Sequence, residues 1–184
     1  MSATIWQVAG ARLPWLVGLM LLQSISSAIL ASFQVLISKQ VVLALFLTMV
    51  IGTAGNAGNQ ASTAVIRAIG TGEVSPRKDG FAVLSREIFV SLVLATSVGL
   101  VAFSRVAWTP GASRAAAIAV STSLFCTTLV ACVIGAAAPL LFDILGLDPV
   151  NSTGPALATL TDISGVLILC LLAYIIFSQL QVGV

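Results

Sequence analysis

"QVVLALFLTMVIGTAGNAGNQASTAVI", Gln40–Ile66, runs for 27 residues without a charge. A helix needs ~20 mostly apolar residues to cross the ~30 Å hydrocarbon layer of a bilayer, so this run is long enough to span. Its first half is almost entirely aliphatic. Its second half holds "GNAGNQAS" (55–62), with two asparagines, a glutamine and two glycines where lipid-compatible residues are expected.

The rest of the chain repeats the first property. Leu13–Ser38, Ile88–Ser104 and Ala115–Phe142 are also uncharged, and Pro149–Val184 is broken by Asp162 alone. The 184 residues are 59% hydrophobic and 8% charged, with no histidine, and the mean hydropathy is +1.13. A soluble domain of this size cannot hide that much apolar surface. The reading is an all-α membrane protein of five transmembrane helices, at approximately 12–36, 41–69, 84–106, 113–143 and 153–180. It forms one membrane domain over residues 1–184. The first apolar run is too long for a cleavable signal peptide and lacks a charged leader before it.

Lys and Arg in the connections set the expected orientation. Arg12, Arg67, Arg77, Lys78 and Arg86 fall on the N-terminal side, and Lys39, Arg105 and Arg114 on the other. This places the N-terminus in the cytoplasm, or its organellar equivalent, and the C-terminus opposite. "VSPRKDG" (74–80) reads as the longest loop, "QVLISKQ" (34–40) as a short polar link, and "WTPGAS" (108–113) as an interfacial turn. Pro139 is expected to kink or shorten the fourth helix, and "NSTGP" (151–155) to start the fifth. Asp143 and Asp148, flanking that last connection, read as solvated or capping residues. The net charge of +2 and the lack of a basic cluster give no reason to expect nucleic acid. Cys126, Cys132 and Cys170 show no metal or redox spacing and read as small buried apolar residues.

Two features call for chemistry. Gly52, Gly55, Asn59 and Thr63 are spaced by three, four and four, which makes one stripe on a helix face, with Asn56 and Gln60 beside it. Small residues and amides suit close helix packing. Neutral side-chain oxygens equally suit a wet path for a hydrated hard cation. The second feature is Asp162, the one carboxylate inside a span. A start near Ser152–Gly154 puts it roughly 12–15 Å deep, where an ionised Asp costs at least ~2.5–3.5 kcal/mol. No Lys or Arg lies at that depth. Asp162 is therefore protonated, bonded to a Thr or Asn of another helix, or open to a cation-filled cavity. Its small face neighbours, Pro155, Ala158, Thr159 and Gly165, favour the third. Five spans cannot form two equal halves, so a symmetric pathway would arise by oligomerisation.

"RLPWL" (12–16), "GTAGNAGNQASTAVIRAIGTGE" (52–73), "GAAAPLLFDILGLDP" (135–149) and "STGPALATLTDISGVLI" (152–168) together resemble the MgtE family of divalent-cation transporters, and the related magnesium transporters of animals. The resemblance implies an ion pore at a homodimer interface, lined by the second and fifth helices of both subunits. It implies Asp162 as the central carboxylate ligand, one from each subunit, with Ala158 contributing its backbone carbonyl. Asn59 and Thr63 would line the path and Gly52 and Gly55 would allow close approach. Asn56 joins the lining, as does Gly154, where some relatives carry asparagine. Mg²⁺ is the implied cargo and ligand, and the bilayer and a second copy are the implied partners.

The chain departs from the typical bacterial pattern in two places. About ten residues precede the first span, where such members carry paired magnesium-sensing CBS domains. Phe33 and Gln34 stand where an acidic pair is common. A coupled Na⁺ or H⁺ exchanger and a non-transporting membrane subunit are the alternatives. An intramembrane enzyme is disfavoured, because no HExxH, serine–histidine pair or paired aspartates occur.

Overall fold

The computed structural model describes residues 4–180, apart from the side chains of Val8, Ala11 and Arg12. The described residues form six helices: α1 (Ile5–Ser32), α2 (Gln34–Lys39), α3 (Val41–Gly70), α4 (Pro76–Ala107), α5 (Arg114–Ile144) and α6 (Pro149–Gln179). Five of them are long and apolar enough to cross a membrane. No strand occurs among the described residues.

Several boundaries differ from the sequence reading. The first span ends at Ser32 rather than residue 36, and the expected link becomes the short helix α2 after a break at Phe33, with Leu36 buried. The expected loop at 74–80 is mostly helix. Pro76 occupies the first turn of α4, where its missing N–H costs nothing, and the Ser75 N–H donates to the Asp79 carboxylate at 2.8 Å. "NSTGP" likewise lies inside α6. The helix starts earlier because Pro149 opens it and the Asp148 side chain accepts the Val150 N–H at 2.9 Å. Asp148 is thus a cap, one of its two expected roles. Pro139 does not shorten α5, which continues to Ile144 with Pro139 buried. The stop after α3 is of the expected glycine type: Gly72 has φ +75°, a left-handed conformation that costs a glycine little.

α5 is the centre of the bundle. Residues chosen for small size rather than apolar bulk line it, including Ala116, Ala119, Ser123, Thr127, Ala131 and Gly135, all buried. α3, α4 and α6 pack against it, whereas α1 leans chiefly on α6. Lipid tails are as apolar as leucine, so packing of small residues rather than burial of apolar area brings such helices together. The tightest crossing joins Gly58 of α3 to Gly135 of α5. A methyl group on Gly135 would lie 2.2 Å from the Gly58 carbonyl oxygen, and one on Gly58 would lie 2.7 Å from that of Ala131. Bulkier side chains close the two ends of the bundle. Leu43, Phe46, Val50, Leu124 and Phe177 pack at one end. Val65, Ala136 and Leu140 pack near the α3–α4 connection.

Candidate functional site

The crossing at Gly58 fixes which way α3 faces. Ala54, Gly58, Ala61, Ser62 and Val65 turn inward and are buried. Gly52, Asn56, Asn59, Gln60 and Thr63 turn outward and are exposed. "GNAGNQAS" is therefore divided between a packed and an exposed face. Its second glycine is a packing residue, and its three amides lie on the open face. Within one chain neither Gly52 nor Gly55 makes a close approach. A methyl group at Gly52 meets nothing within 4 Å, and one at Gly55 meets only the Thr161 methyl at 3.9 Å. That contact sets the open face of α3 beside α6. The Thr63 hydroxyl donates to the Asn59 carbonyl at 2.8 Å, so it is held by its own helix. Asn59, Gln60, Thr63 and Arg67 line a shallow hollow of about 350 Å³.

Asp162 is half-buried near the middle of α6. With α6 beginning at Pro149, it lies ~20 Å along the helix, further from the helix start than the sequence suggested. Gly154 and Ala158, eight and four residues before it, are exposed on the same line. In a regular helix the Ala158 carbonyl accepts the Asp162 N–H and keeps one lone pair free. Gly165 belongs elsewhere: it is buried, and a methyl group there would press on Ile51 and Thr127 at 3.1 and 3.2 Å. Thr159 is buried too. The face around Asp162 is thus narrower than its neighbours in sequence implied.

Its partner is a residue that sequence reasoning missed. Gln23 of α1 donates from Nε2 to the Asp162 carboxylate. The expected alternative was a Thr or Asn. A signal was present, because Gln23 is the only amide in the Leu13–Ser32 span and lies midway along it. One such bond in a membrane bundle is worth ~0.6 kcal/mol on average and ~1.7 at most. That falls short of the ~2.5–3.5 kcal/mol cost of an ionised central carboxylate, so protonation, water or a cation at the open side has to supply the remainder. Among the described residues no cluster of three or more metal-ligating side chains occurs. Asp162 is thus not part of such a cluster.

The family profile MgtE, described as a divalent cation transporter, matches residues 47–172, well over half of the chain. The chain belongs to the MgtE family. Three curated relatives, each a magnesium transporter MgtE, agree. The protein from Enterococcus faecalis is 32% identical over 163 residues, covering 88% of this chain and 35% of the relative. Those from Thermus thermophilus and Bacillus subtilis are 34% and 33% identical over 158 residues, covering 86% and 85% of this chain and 34% of each relative. The chain spans about a third of the length of these relatives.

MgtE proteins are transporters rather than enzymes. With five helices fit to cross a bilayer, this MgtE chain is a multi-pass membrane protein. The matched stretch contains the open face of α3 and Asp162, whereas Gln23 lies outside it.

Proposed function

We propose that this chain forms one membrane domain over residues 1–184 and conducts Mg²⁺ across the bilayer as a channel-like homodimer, with its N-terminus cytoplasmic. The observation that carries the reading is a central carboxylate with one neutral donor, Gln23, on a face that remains open. A second copy supplies a second Asp162. Mg²⁺ dehydrates reluctantly and binds few protein oxygens directly. Two carboxylates can hold it through its water shell, and the ion in turn relieves their mutual repulsion. The Ala158 carbonyl adds a neutral acceptor to the same face. Gly154, Asn56, Asn59 and Thr63 line the approach, where uncharged oxygens exchange hydrogen bonds with the hydration shell without trapping the ion. Gly52 and Gly55, open in one chain, leave room for the partner's helices to come near. The excess of Lys and Arg on the N-terminal side supports the orientation.

The test is Mg²⁺ uptake by purified protein in liposomes. Asp162→Asn is expected to retain its elution as a folded dimer and to lose most of the flux. Normal uptake by that variant would sink the reading. Flux that needs a Na⁺ or H⁺ gradient would turn it into an exchanger.

A further inference from the structure

α3 and α4 are joined by five residues, Thr71–Ser75, and then diverge, each packing on α5 rather than on the other. Between them lies a groove of about 310 Å³ lined by Gln60 and Val65 of α3 and by Arg86, Glu87, Val90 and Leu94 of α4. The polar residues share one height. Gln60 lies ten residues before the end of α3, and Arg86 ten residues after the start of α4, both ~15 Å from the connection. α4 is ~48 Å long against a ~30 Å hydrocarbon core. The uncharged run Ile88–Ser104 begins just after Glu87. Gln60, Arg86 and Glu87 therefore sit at the boundary between headgroups and acyl chains, with Val90 and Leu94 continuing into the hydrocarbon.

Arg86 and Glu87 are adjacent and attract one another electrostatically, but among the described residues neither closes to a contact ion pair at 4.0 Å or less. Arg86 is exposed at the rim and Glu87 is half-buried. A cation and an anion held side by side at headgroup height match a zwitterion of the opposite polarity. We propose that this groove binds an aminophospholipid of the surrounding bilayer. The lipid phosphate accepts from the Arg86 guanidinium and the Gln60 amide. The headgroup ammonium donates to the Glu87 carboxylate, and an acyl chain lies along Val90 and Leu94. A choline headgroup has no N–H to give to Glu87, and a glycerol headgroup leaves that carboxylate without a counter-charge.

The proposal does not depend on the ion path, so its test uses retention of lipid rather than flux. The full chain in detergent is incubated with phosphatidylethanolamine, phosphatidylcholine or phosphatidylglycerol, and bound lipid is counted by native mass spectrometry. Wild type is expected to retain phosphatidylethanolamine roughly tenfold better than the other two, the size of one charge-assisted hydrogen bond. Glu87→Gln is expected to erase the preference over phosphatidylglycerol, and Arg86→Gln to weaken retention of all three. Val90→Trp, which fills the groove and leaves both charges, is expected to lower retention while helicity and elution stay unchanged. Equal retention of the three lipids by wild type overturns the proposal. So does a preference that survives Glu87→Gln, or a groove closed by a second copy so that no lipid is kept.

Discussion

At Asp162 two questions separate: whether the carboxylate matters and what orients it. Gln23 answers the second. Its amide donates to one carboxylate oxygen and leaves the other available to a hydrated ion. Gln23→Leu keeps the shape of α1 and removes that donor. It is expected to raise the Mg²⁺ concentration for half-maximal uptake several-fold while leaving maximal flux closer to wild type. One interhelical hydrogen bond of ~0.6–1.7 kcal/mol corresponds to roughly 3- to 18-fold. Gln23→Leu placed on Asp162→Asn is expected to add nothing further. An unchanged half-saturation in liposome uptake would show that the carboxylate is oriented without α1. The carboxylate was legible in the sequence because a lone charge in an apolar run stands out by composition. The glutamine was not, because an amide in a span reads equally well as interhelical glue.

Among whole helices, the crossing of α3 with α5 sets the faces on which everything else depends. It is a backbone contact, so it tolerates no side chain on either glycine. Gly135→Ala and Gly58→Ala are each expected to destabilise the folded chain by ~1–3 kcal/mol or more, the cost of overpacking, and to lower the melting temperature in detergent. Gly52→Ala is expected to leave it unchanged or slightly higher, since its position is open and alanine favours helix. Equal melting temperatures for all three would mean that α3 does not pack through Gly58. The stripe spacing of 52, 55, 59 and 63 correctly marks residues that share a face. It could not say that the packing glycine was Gly58, about 100° around the helix from the stripe, because glycine spacing is compatible with either flank meeting a neighbour.

For the molecule as a whole, the open faces of α3 and α6 make an exposed polar surface in one chain, which a second copy is proposed to convert into a path. Single cysteines report on that surface in a background lacking Cys126, Cys132 and Cys170. At positions 59 and 63 they are expected to react with small water-soluble thiol reagents, because a hydrated path sustains the reactive thiolate, and Mg²⁺ is expected to slow the reaction. Cysteines at 65, where Val65 is buried, and at 66 are expected to stay inert. If 59 and 63 are as slow as 65 and 66 in protein that still transports, the outward amides form a dry contact.

What the sequence alone determined was the class of fold and the odd residue in it. Crossing a bilayer demands length and apolarity, which are local and can be read from one span at a time, and the cost of a central charge identifies Asp162 in the same way. Helix starts were less legible, since Pro76 and Pro149 look like loop residues until a side-chain cap such as Asp79 or Asp148 turns them into first-turn residues. Only the tertiary structure decided which face of α3 meets α5, which amide meets Asp162, and that α3 and α4 part to leave Arg86 and Glu87 over a groove. Those are pairings between residues far apart in the chain. In a medium where leucine gains nothing by leaving lipid for protein, the apolar pattern carries no record of them.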